Sequence, residues 1–187
     1  MGLHICSISC EFTIDWSCNN VCAMNFYIKF LIFKFILLFV LFQTTGAKSQ
    51  SYEEEISCLV EALYFESRGE SFSGQLAVGT VILNRVQHNR FPNTICEVVH
   101  EGHYRNGHPI RNRCSFSYYC DGKPERVEDL DAEARSADVA FFLMGGGRLS
   151  GLNKSLHYHA TYVNPKWNRD YKRLMQVDNH IFYGERK

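Results

Sequence analysis

The stretch "EALYFESRGESFSGQLAVGTVILNRV", residues 61–86, contains parts of the two helices that organise the predicted domain. Its second half, "LAVGTVILNRV", is apolar over most of a helical circumference, which is typical of a buried central helix. Ser73 is placed to cap this helix, and we expect the helix to run to about His88 before Pro92 breaks it. The sequence therefore predicts a domain built around one central apolar helix.

The preceding stretch, "SYEEEISCLVEALYFES", predicts an amphipathic helix over residues 51–67. Its apolar residues Ile56, Leu59, Val60 and Leu63 follow helical spacing. Three glutamates, residues 53–55, suit a helix N-terminus, where the macrodipole favours negative charge. A glycine at position 69 is a typical stop signal.

Glu66 lies on the buried side of this first helix. At 100° per residue it falls about 20° from Leu59 on the helical wheel. A carboxyl group there loses hydration and also faces the negative end of the helix dipole, and both effects raise its pKa. Glu66 is thus a candidate proton donor near neutral pH. The alternative from the residues alone is a structural ion pair with Arg68 or another cation.

The remaining elements complete a mostly helical α+β domain. Thr94 and Glu97 have capping-box spacing for a short third helix. We expect a fourth helix over about Leu130 to Met144, ended by three glycines. Other segments are a long loop over 102–122 with a small hairpin around "CSFSYYC", an extended "SLHYHATYV", and a strand or loop at "HIFYG".

Composition limits the function classes. The 187 residues suffice for one ordinary domain, and a hydrophobic content of 45% supports a buried core. Lys+Arg and Asp+Glu both total 20, whereas nucleic-acid binders usually carry a basic excess. We therefore expect no nucleic-acid partner.

The N-terminal third resembles a leader rather than part of a domain. Lysines precede the apolar run within Phe26–Phe42, and "TTGA" follows at 44–47, which is the order of a secretory signal peptide. We interpret residues 24–47 as that signal and expect cleavage after Ala47. The domain, residues 48–187, would then be exported without permanent membrane association. An uncleaved anchor over Phe26–Phe42 is the alternative.

We interpret residues 1–23, upstream of Met24, as a non-native or disordered leader. This stretch holds four cysteines, at positions 6, 10, 18 and 22. A zinc module is the weaker alternative, because structural zinc sites commonly have shorter gaps within a defined fold.

Four cysteines remain in the exported region, which suggests two disulfides. Three pairings are open, and spacing does not choose among them. We favour Cys96 with Cys114, which would tie the third helix to the long loop, and Cys58 with Cys120.

Several motifs together are similar to the SleB/CwlJ family of cell-wall hydrolases, over about Glu55 to Tyr183. The "ESRGE" of Glu66–Glu70 resembles the family's E-A-R-G-E box, with Ser for Ala. The "AVGTVILNR" of Ala77–Arg85 retains the helix pattern that follows that box. Further matches are Ser115-Phe116-Ser117, which lacks the family's Gln, His157-Tyr158-His159, Trp167, Asn179-His180 and Phe182-Tyr183.

This resemblance implies a lysozyme-like single catalytic domain that acts on peptidoglycan glycan strands. It maps the catalytic glutamate to Glu66, in agreement with the helical wheel, and leaves Glu70 as a candidate helper. It implies cleavage between N-acetylmuramic acid and N-acetylglucosamine as a lytic transglycosylase, which needs one acid rather than the common carboxylate pair.

We expect the remaining candidates to contact the glycan. They comprise polar, aromatic and histidine side chains from five places in the chain: Arg68, Asn84, Ser115, Phe116, Ser117, Tyr118, His157, Tyr158, His159 and Trp167. For Asn84 a structural polar role on the buried helix is the alternative, and for the aromatic residues a place in the core.

Two other functions stay open. On a strand, His157 and His159 share one face and could hold zinc with His180 or a cysteine, as an N-acetylmuramoyl-L-alanine amidase would require. No acidic partner has matching spacing, so we expect no metal and no cofactor. A non-catalytic peptidoglycan-binding module would keep the aromatic residues and tolerate loss of Glu66.

Overall fold

A computed structural model describes residues 19–186, and their side chains over 28–36 and 51–186. The chain divides into two compact units between Ser49 and Gln50. Over the described residues it forms four α-helices, two short 3-10 helices and five strands, the second unit holding every strand. The predicted α+β, mostly helical class is confirmed.

The first helix, α1, spans Asn19–Ser67 and begins well before the predicted start. Glu53–Glu55 are therefore inside a helix rather than at its N-terminus, and α1 continues through Gly46 although glycine has a low helix propensity. The side chains of residues 28–36 are exposed. No helix in the described part of the chain is long and apolar enough to cross a membrane.

The predicted upstream leader, residues 1–23, falls largely outside the described residues. The same is true of three of its cysteines and of the side chain of Cys22. The signal peptide and its cleavage after Ala47 stay predictions.

Helix α2, Phe72–Val86, is the centre of the second unit. Its residues from Gly74 to Arg85 are all buried, as the apolar pattern predicts. Its N-cap is Ser71 rather than Ser73, because the Ser71 hydroxyl accepts a hydrogen bond from Gly74 N at 3.2 Å.

The short helix α3, Ile95–Val99, and helix α4, Leu130–Met144, pack against α2. Thr94 caps α3 by accepting from Glu97 N at 3.2 Å, which confirms the predicted capping signal. Helix α4 has its predicted bounds, with Asp129 as N-cap. Gly79 lets α4 approach, since a Cβ there would lie 2.2 Å from Leu143 Cδ1.

A hairpin of β1, Gly102–Arg105, and β2, His108–Cys114, follows α3. It precedes the predicted position around "CSFSYYC", where residues Ser117–Cys120 instead form a 3-10 helix. The physical reason is the dipeptide Asn106-Gly107, both at positive φ, which is a strong two-residue hairpin signal.

The second sheet has three antiparallel strands in the order β3-β5-β4. They are β3, His157–Ala160, β4, Tyr171–Val177, and β5, His180–Arg186. The two segments for which an extended conformation was predicted contain β3 and most of β5. The 3-10 helix Lys166–Arg169 precedes β4, which the sequence analysis missed.

The disulfide pairing differs from the one favoured above. Cys58 bonds Cys96, with Cα atoms 5.2 Å apart, and Cys114 bonds Cys120, with Cα atoms 6.1 Å apart. The first bridge links α1 to α3. The second closes the short segment that carries the 3-10 helix, because that turn brings the ends of the segment together.

Candidate active site

A cleft of about 710 Å³ opens beside the last turn of α1. Four segments of the chain supply most of its lining: the end of α1, the segment from Cys114 to Tyr118, the charged segment from Asp121 to Glu128, and β3 with the loop that follows it. Glu66, Arg85 and His180 are among its lining residues.

The Glu66 carboxyl group lies in the wall of this cleft, mostly buried, as the helical wheel predicts. The Tyr158 hydroxyl group donates a hydrogen bond to Glu66 Oε2 at 3.0 Å. Burial raises the pKa of Glu66, while the Tyr158 hydrogen bond, the Arg85 charge and the Ser117 backbone lower it by less. The net rise favours the protonated acid.

Arg85 supplies the nearby positive charge, rather than Arg68. It is buried at the end of α2, where its Nε donates to Leu156 O at 2.9 Å. The guanidinium carbon lies 5.2 Å from the ring centroids of Phe91 and Phe116. Sequence reasoning did not select Arg85 as a site residue, although a charged side chain on an otherwise apolar helix was a usable signal.

Arg68 is exposed and lies over the Tyr64 ring at 4.8 Å. It lines the cleft, so it is available to a ligand there. The alternative of a structural Glu66–Arg68 pair is therefore not what the geometry shows.

Tyr118 is a second phenol near Glu66. Its ring is buried and stacks on Phe65 at 5.0 Å. Burial raises the pKa of the Tyr118 hydroxyl group, and the charges of Glu61 and Glu66 add to the rise. Glu61 lies on α1, and burial raises its pKa as well. Tyr118 and Tyr158 are thus both neutral phenols near Glu66, and of the two it is Tyr158 that donates a hydrogen bond to the Glu66 carboxyl group.

Glu70 has a different environment from Glu66. Its carboxylate accepts from Asn179 N at 3.2 Å and from Asn179 Nδ2 at 3.3 Å. His180 Nδ1 lies 3.7 Å from Glu70 Oε1, and both side chains are about nine-tenths buried. Glu70 thus binds the turn between β4 and β5, and it is His180, not Glu70, that lines the cleft.

The structure brings six of the ten predicted glycan contacts to this cleft: Arg68, Ser115, Ser117, Tyr118, Tyr158 and His159. Ser115 Oγ donates to Glu101 Oε2 at 2.8 Å.

The other four lie elsewhere. Asn84 Nδ2 donates to Leu152 O at 2.7 Å and to Ser155 O at 2.9 Å, so its amide group is used in the core. Phe116 is fully buried under Arg85. His157 and Trp167 pack together, with ring centroids 5.9 Å apart. None of these four side chains lines the cleft, because they pack in the core or against each other.

The histidines of β3 share one face, as predicted, and Trp167 contacts both. Both ring nitrogens of His159 have partners within the protein. His159 Nε2 lies 3.0 Å from the Tyr183 hydroxyl oxygen, and His159 Nδ1 lies 2.9 Å from Ala160 O. Burial lowers the pKa of His157 to about 4, with Arg85 and Arg90 adding to the effect. Among the described residues, no group of three ligating side chains is arranged for a metal ion.

Comparison with known proteins shows which family the chain belongs to. The family model described as Cell Wall Hydrolase matches residues 69–183, more than half of the chain, and Glu66 lies just before the match. A spore cortex-lytic enzyme of Bacillus cereus is 28% identical over 130 residues, which are 70% of this chain and 44% of that protein. A Bacillus subtilis spore cortex-lytic enzyme is 45% identical over 47 residues, which are 25% of this chain and 15% of that protein.

Two solved structures are similar in fold, each with a TM-score of 0.50 and 28% identity. One is the catalytic domain of the Bacillus cereus SleB protein, with 70% of this chain and 90% of that one covered. The other is the catalytic domain of a germination-specific lytic transglycosylase, SleB, from Bacillus anthracis, with 69% and 93% covered. The chain spans less than half the length of the curated relatives named above. It belongs to the SleB/CwlJ-type cell wall hydrolase family.

Proposed function

We propose that this protein cleaves peptidoglycan glycan strands between N-acetylmuramic acid and N-acetylglucosamine, as a lytic transglycosylase with Glu66 as general acid. The observation that carries the proposal is the mostly buried Glu66 carboxyl group in the cleft wall, whose pKa is raised by burial. The names of the relatives, which include a lytic transglycosylase catalytic domain, point to the same reaction.

The reaction begins with proton transfer from Glu66 to the glycosidic oxygen, which lets the bond from that oxygen to the muramic acid C1 break. The 6-hydroxyl group of the same muramic acid then attacks C1 and closes an anhydro ring. Its proton returns to Glu66, so the enzyme ends as it began and no water is consumed. While Glu66 is ionised, the Tyr158 hydroxyl group and the Arg85 charge stabilise its carboxylate.

This route needs one carboxyl group, whereas hydrolysis commonly needs two flanking the scissile bond. Glu70 is engaged by Asn179 and His180 instead of lining the cleft. Other carboxylates do line the cleft, on the charged segment at Asp121, Glu125 and Glu128. A muramidase that activates water through one of them is the second candidate, and the two differ in whether the product end is anhydro or reducing.

An amidase that uses zinc on the β3 histidines is less well supported. Both nitrogens of His159 have partners in the protein, and His157 packs against Trp167 and Tyr171. We expect glycan cleavage to survive EDTA. Complete loss in EDTA that zinc restores would favour the amidase.

The proposed substrate lies outside the cytoplasmic membrane, so the function requires export. The predicted signal peptide, residues 24–47, provides the route. N-terminal sequencing of the secreted protein is expected to begin at or within a few residues of Lys48. A mature chain that retains Phe26–Phe42 would show an anchor instead.

Digestion of purified peptidoglycan by Glu66→Gln tests the proposal. Gln keeps the volume of the side chain but has no acidic proton, so we expect activity to fall by about 10²–10⁴-fold. Glu53→Gln is the matched control, because it removes an exposed carboxylate from the same helix. Full activity of Glu66→Gln would rule out this acid, and binding without cleavage by the wild type would indicate a non-catalytic module.

A further inference from the structure

Tyr162 is the most exposed of the large apolar side chains that the structure describes, at 86%. Its neighbour Val163 is also exposed, at 44%. Both line the cleft that contains Glu66. A ring this exposed contributes little to the packing of the core. Core packing therefore does not explain why Tyr162 lies at the cleft.

The backbone under Tyr162 is held in place on both sides. Val163 N donates to Ala160 O at 3.0 Å, which closes a turn directly after β3. Thr161 N donates to Asn179 O at 2.8 Å, which ties the loop to the turn between β4 and β5. Two backbone hydrogen bonds therefore hold the loop that carries the exposed Tyr162 ring.

Glu70 takes part in the same support. Its carboxylate accepts two hydrogen bonds from Asn179, at N and at Nδ2, and the carbonyl group of Asn179 in turn accepts from Thr161. The end of the "ESRGE" box is thus connected to the Tyr162 loop through a single residue. This gives Glu70 a role that does not require contact with the reacting atoms.

Carbohydrate is the ligand class that suits this surface. A pyranose ring presents an apolar face of C–H groups and a rim of hydroxyl groups. An aromatic side chain offers a large flat area at low conformational cost, because few of its bonds rotate. Polar groups elsewhere in the cleft, such as Arg68 and Ser117, are suited to the hydroxyl and acetamido groups.

We propose that Tyr162, with Val163 beside it, is a stacking platform for a sugar of the glycan strand, and that Glu70 positions this platform through Asn179. The inference rests on the proposed function, since it names a subsite of the same cleft. Tyr162 binds substrate, whereas Glu70 is a positioning residue.

The test compares the concentration dependence of peptidoglycan digestion among variants of the intact mature protein. Tyr162→Ala is expected to raise KM about 3- to 10-fold, the loss typical of one aromatic contact, with a smaller effect on kcat. Tyr162→Phe should restore most of the loss, because the ring is retained. Phe141→Ala is the control, since it removes an exposed aromatic side chain of α4 outside the cleft.

Glu70 has its own pair of variants. Glu70→Ala should raise KM as Tyr162→Ala does, and Glu70→Gln should raise it less, because its amide oxygen can replace one of the two carboxylate acceptors of Asn179. The double variant Glu70→Ala/Tyr162→Ala should be no worse than Tyr162→Ala alone by KM. Additive losses, or a loss confined to kcat, would overturn the positioning role.

A second measurement separates this inference from the proposed reaction. In the Glu66→Gln background, pull-down with insoluble peptidoglycan should weaken by the same factor when Tyr162→Ala is added. Unchanged binding together with unchanged KM would overturn the platform. If wild-type protein cleaves nothing but Tyr162→Ala still weakens binding, the reaction is wrong and the platform stands.

Discussion

The Tyr158 hydroxyl group donates a hydrogen bond to Glu66 Oε2 at 3.0 Å, joining β3 to the last turn of α1. Burial raises the pKa of Tyr158, and the negative charge of Glu66 raises it further, so the phenol stays protonated and remains a donor. A hydrogen bond donated to a carboxylate favours its ionised form. Tyr158 therefore opposes the larger effect of burial on the pKa of Glu66.

Tyr158→Phe is expected to shift the pH profile of cleavage. Glu66 acts while protonated, so activity falls as pH rises through its pKa. Loss of the hydrogen bond raises that pKa, and the alkaline limb of kcat/KM should move up by roughly one pH unit, as expected for a bond to a charged group. The maximal rate should fall, because the carboxylate formed during proton transfer loses a donor.

Tyr183→Phe is the control for this shift. It also removes a hydroxyl group from the three-stranded sheet, but that group bonds His159 rather than Glu66. Its alkaline limb should coincide with that of the wild type. If both variants move together, the shift reports the sheet as a whole and not the Glu66 hydrogen bond.

Glu66→Gln should make the protein more stable at alkaline pH. The folded-state pKa of Glu66 is raised, so stability is lost as pH rises through it, because ionisation is easier in the unfolded chain. Gln does not ionise and so avoids this loss, and its gain over the wild type at pH 8 should be on the order of 1 kcal/mol, the scale of a single stabilising substitution. At pH 4, near the unfolded pKa, the gain should be close to zero. Urea unfolding at both pH values checks this, and a loss at pH 8 would mean that the carboxylate is stabilising.

Helices α2, α3 and α4 were predictable because their signals are local. The apolar circumference of α2, the Thr94 cap of α3 and the glycines after Met144 each depend on neighbouring residues. The hairpin was misplaced although its signal, Asn106-Gly107, was present. Strand β4 was missed because its burial alternates only weakly, and its place depends on pairing with β5.

Glu66 was found from helical geometry because its position depends on one helix only. Its partners were not predicted as such. Tyr158 was expected to contact the glycan, and its bond to Glu66 joins residues 92 positions apart in the chain, while Arg85 was taken only as part of the buried helix. Whether Asn84 or His157 faced a ligand or the core depended on long-range packing. The Ser71 cap was preferred over Ser73 because Asp178, from the distant sheet, accepts from both Ser71 N and Ser71 Oγ.

Glu70→Gln should be much milder than Glu66→Gln. Gln keeps one of the two oxygens that accept from Asn179, and it loses the other together with the charge that faces His180. We expect residual activity within about tenfold of the wild type, against a loss of about 10²–10⁴-fold for the general acid. Initial rates on the same peptidoglycan preparation decide this. Equal losses at the two positions would make Glu70 a second catalytic carboxylate.

Disulfide mapping of the secreted protein should find Cys58 joined to Cys96 and Cys114 joined to Cys120. Removing the first pair by Cys58→Ser/Cys96→Ser should cost about 4 kcal/mol, because it frees the longer loop, with a sequence separation of 38. Removing the second pair should cost about 2 kcal/mol on the same basis. Peptide mass mapping and urea unfolding provide the two measurements. Peptides that join Cys96 to Cys114 would contradict the structure.

The most direct test of the single-acid mechanism is digestion of peptidoglycan by the wild-type protein in heavy-oxygen water, with the released fragments weighed by mass spectrometry. In the proposed reaction the muramic acid 6-hydroxyl group, not water, attacks C1. We expect fragments with 1,6-anhydro ends, one water lighter than hydrolysis products and without heavy oxygen. Fragments with reducing ends that carry one heavy oxygen atom would contradict it and show that water is the nucleophile.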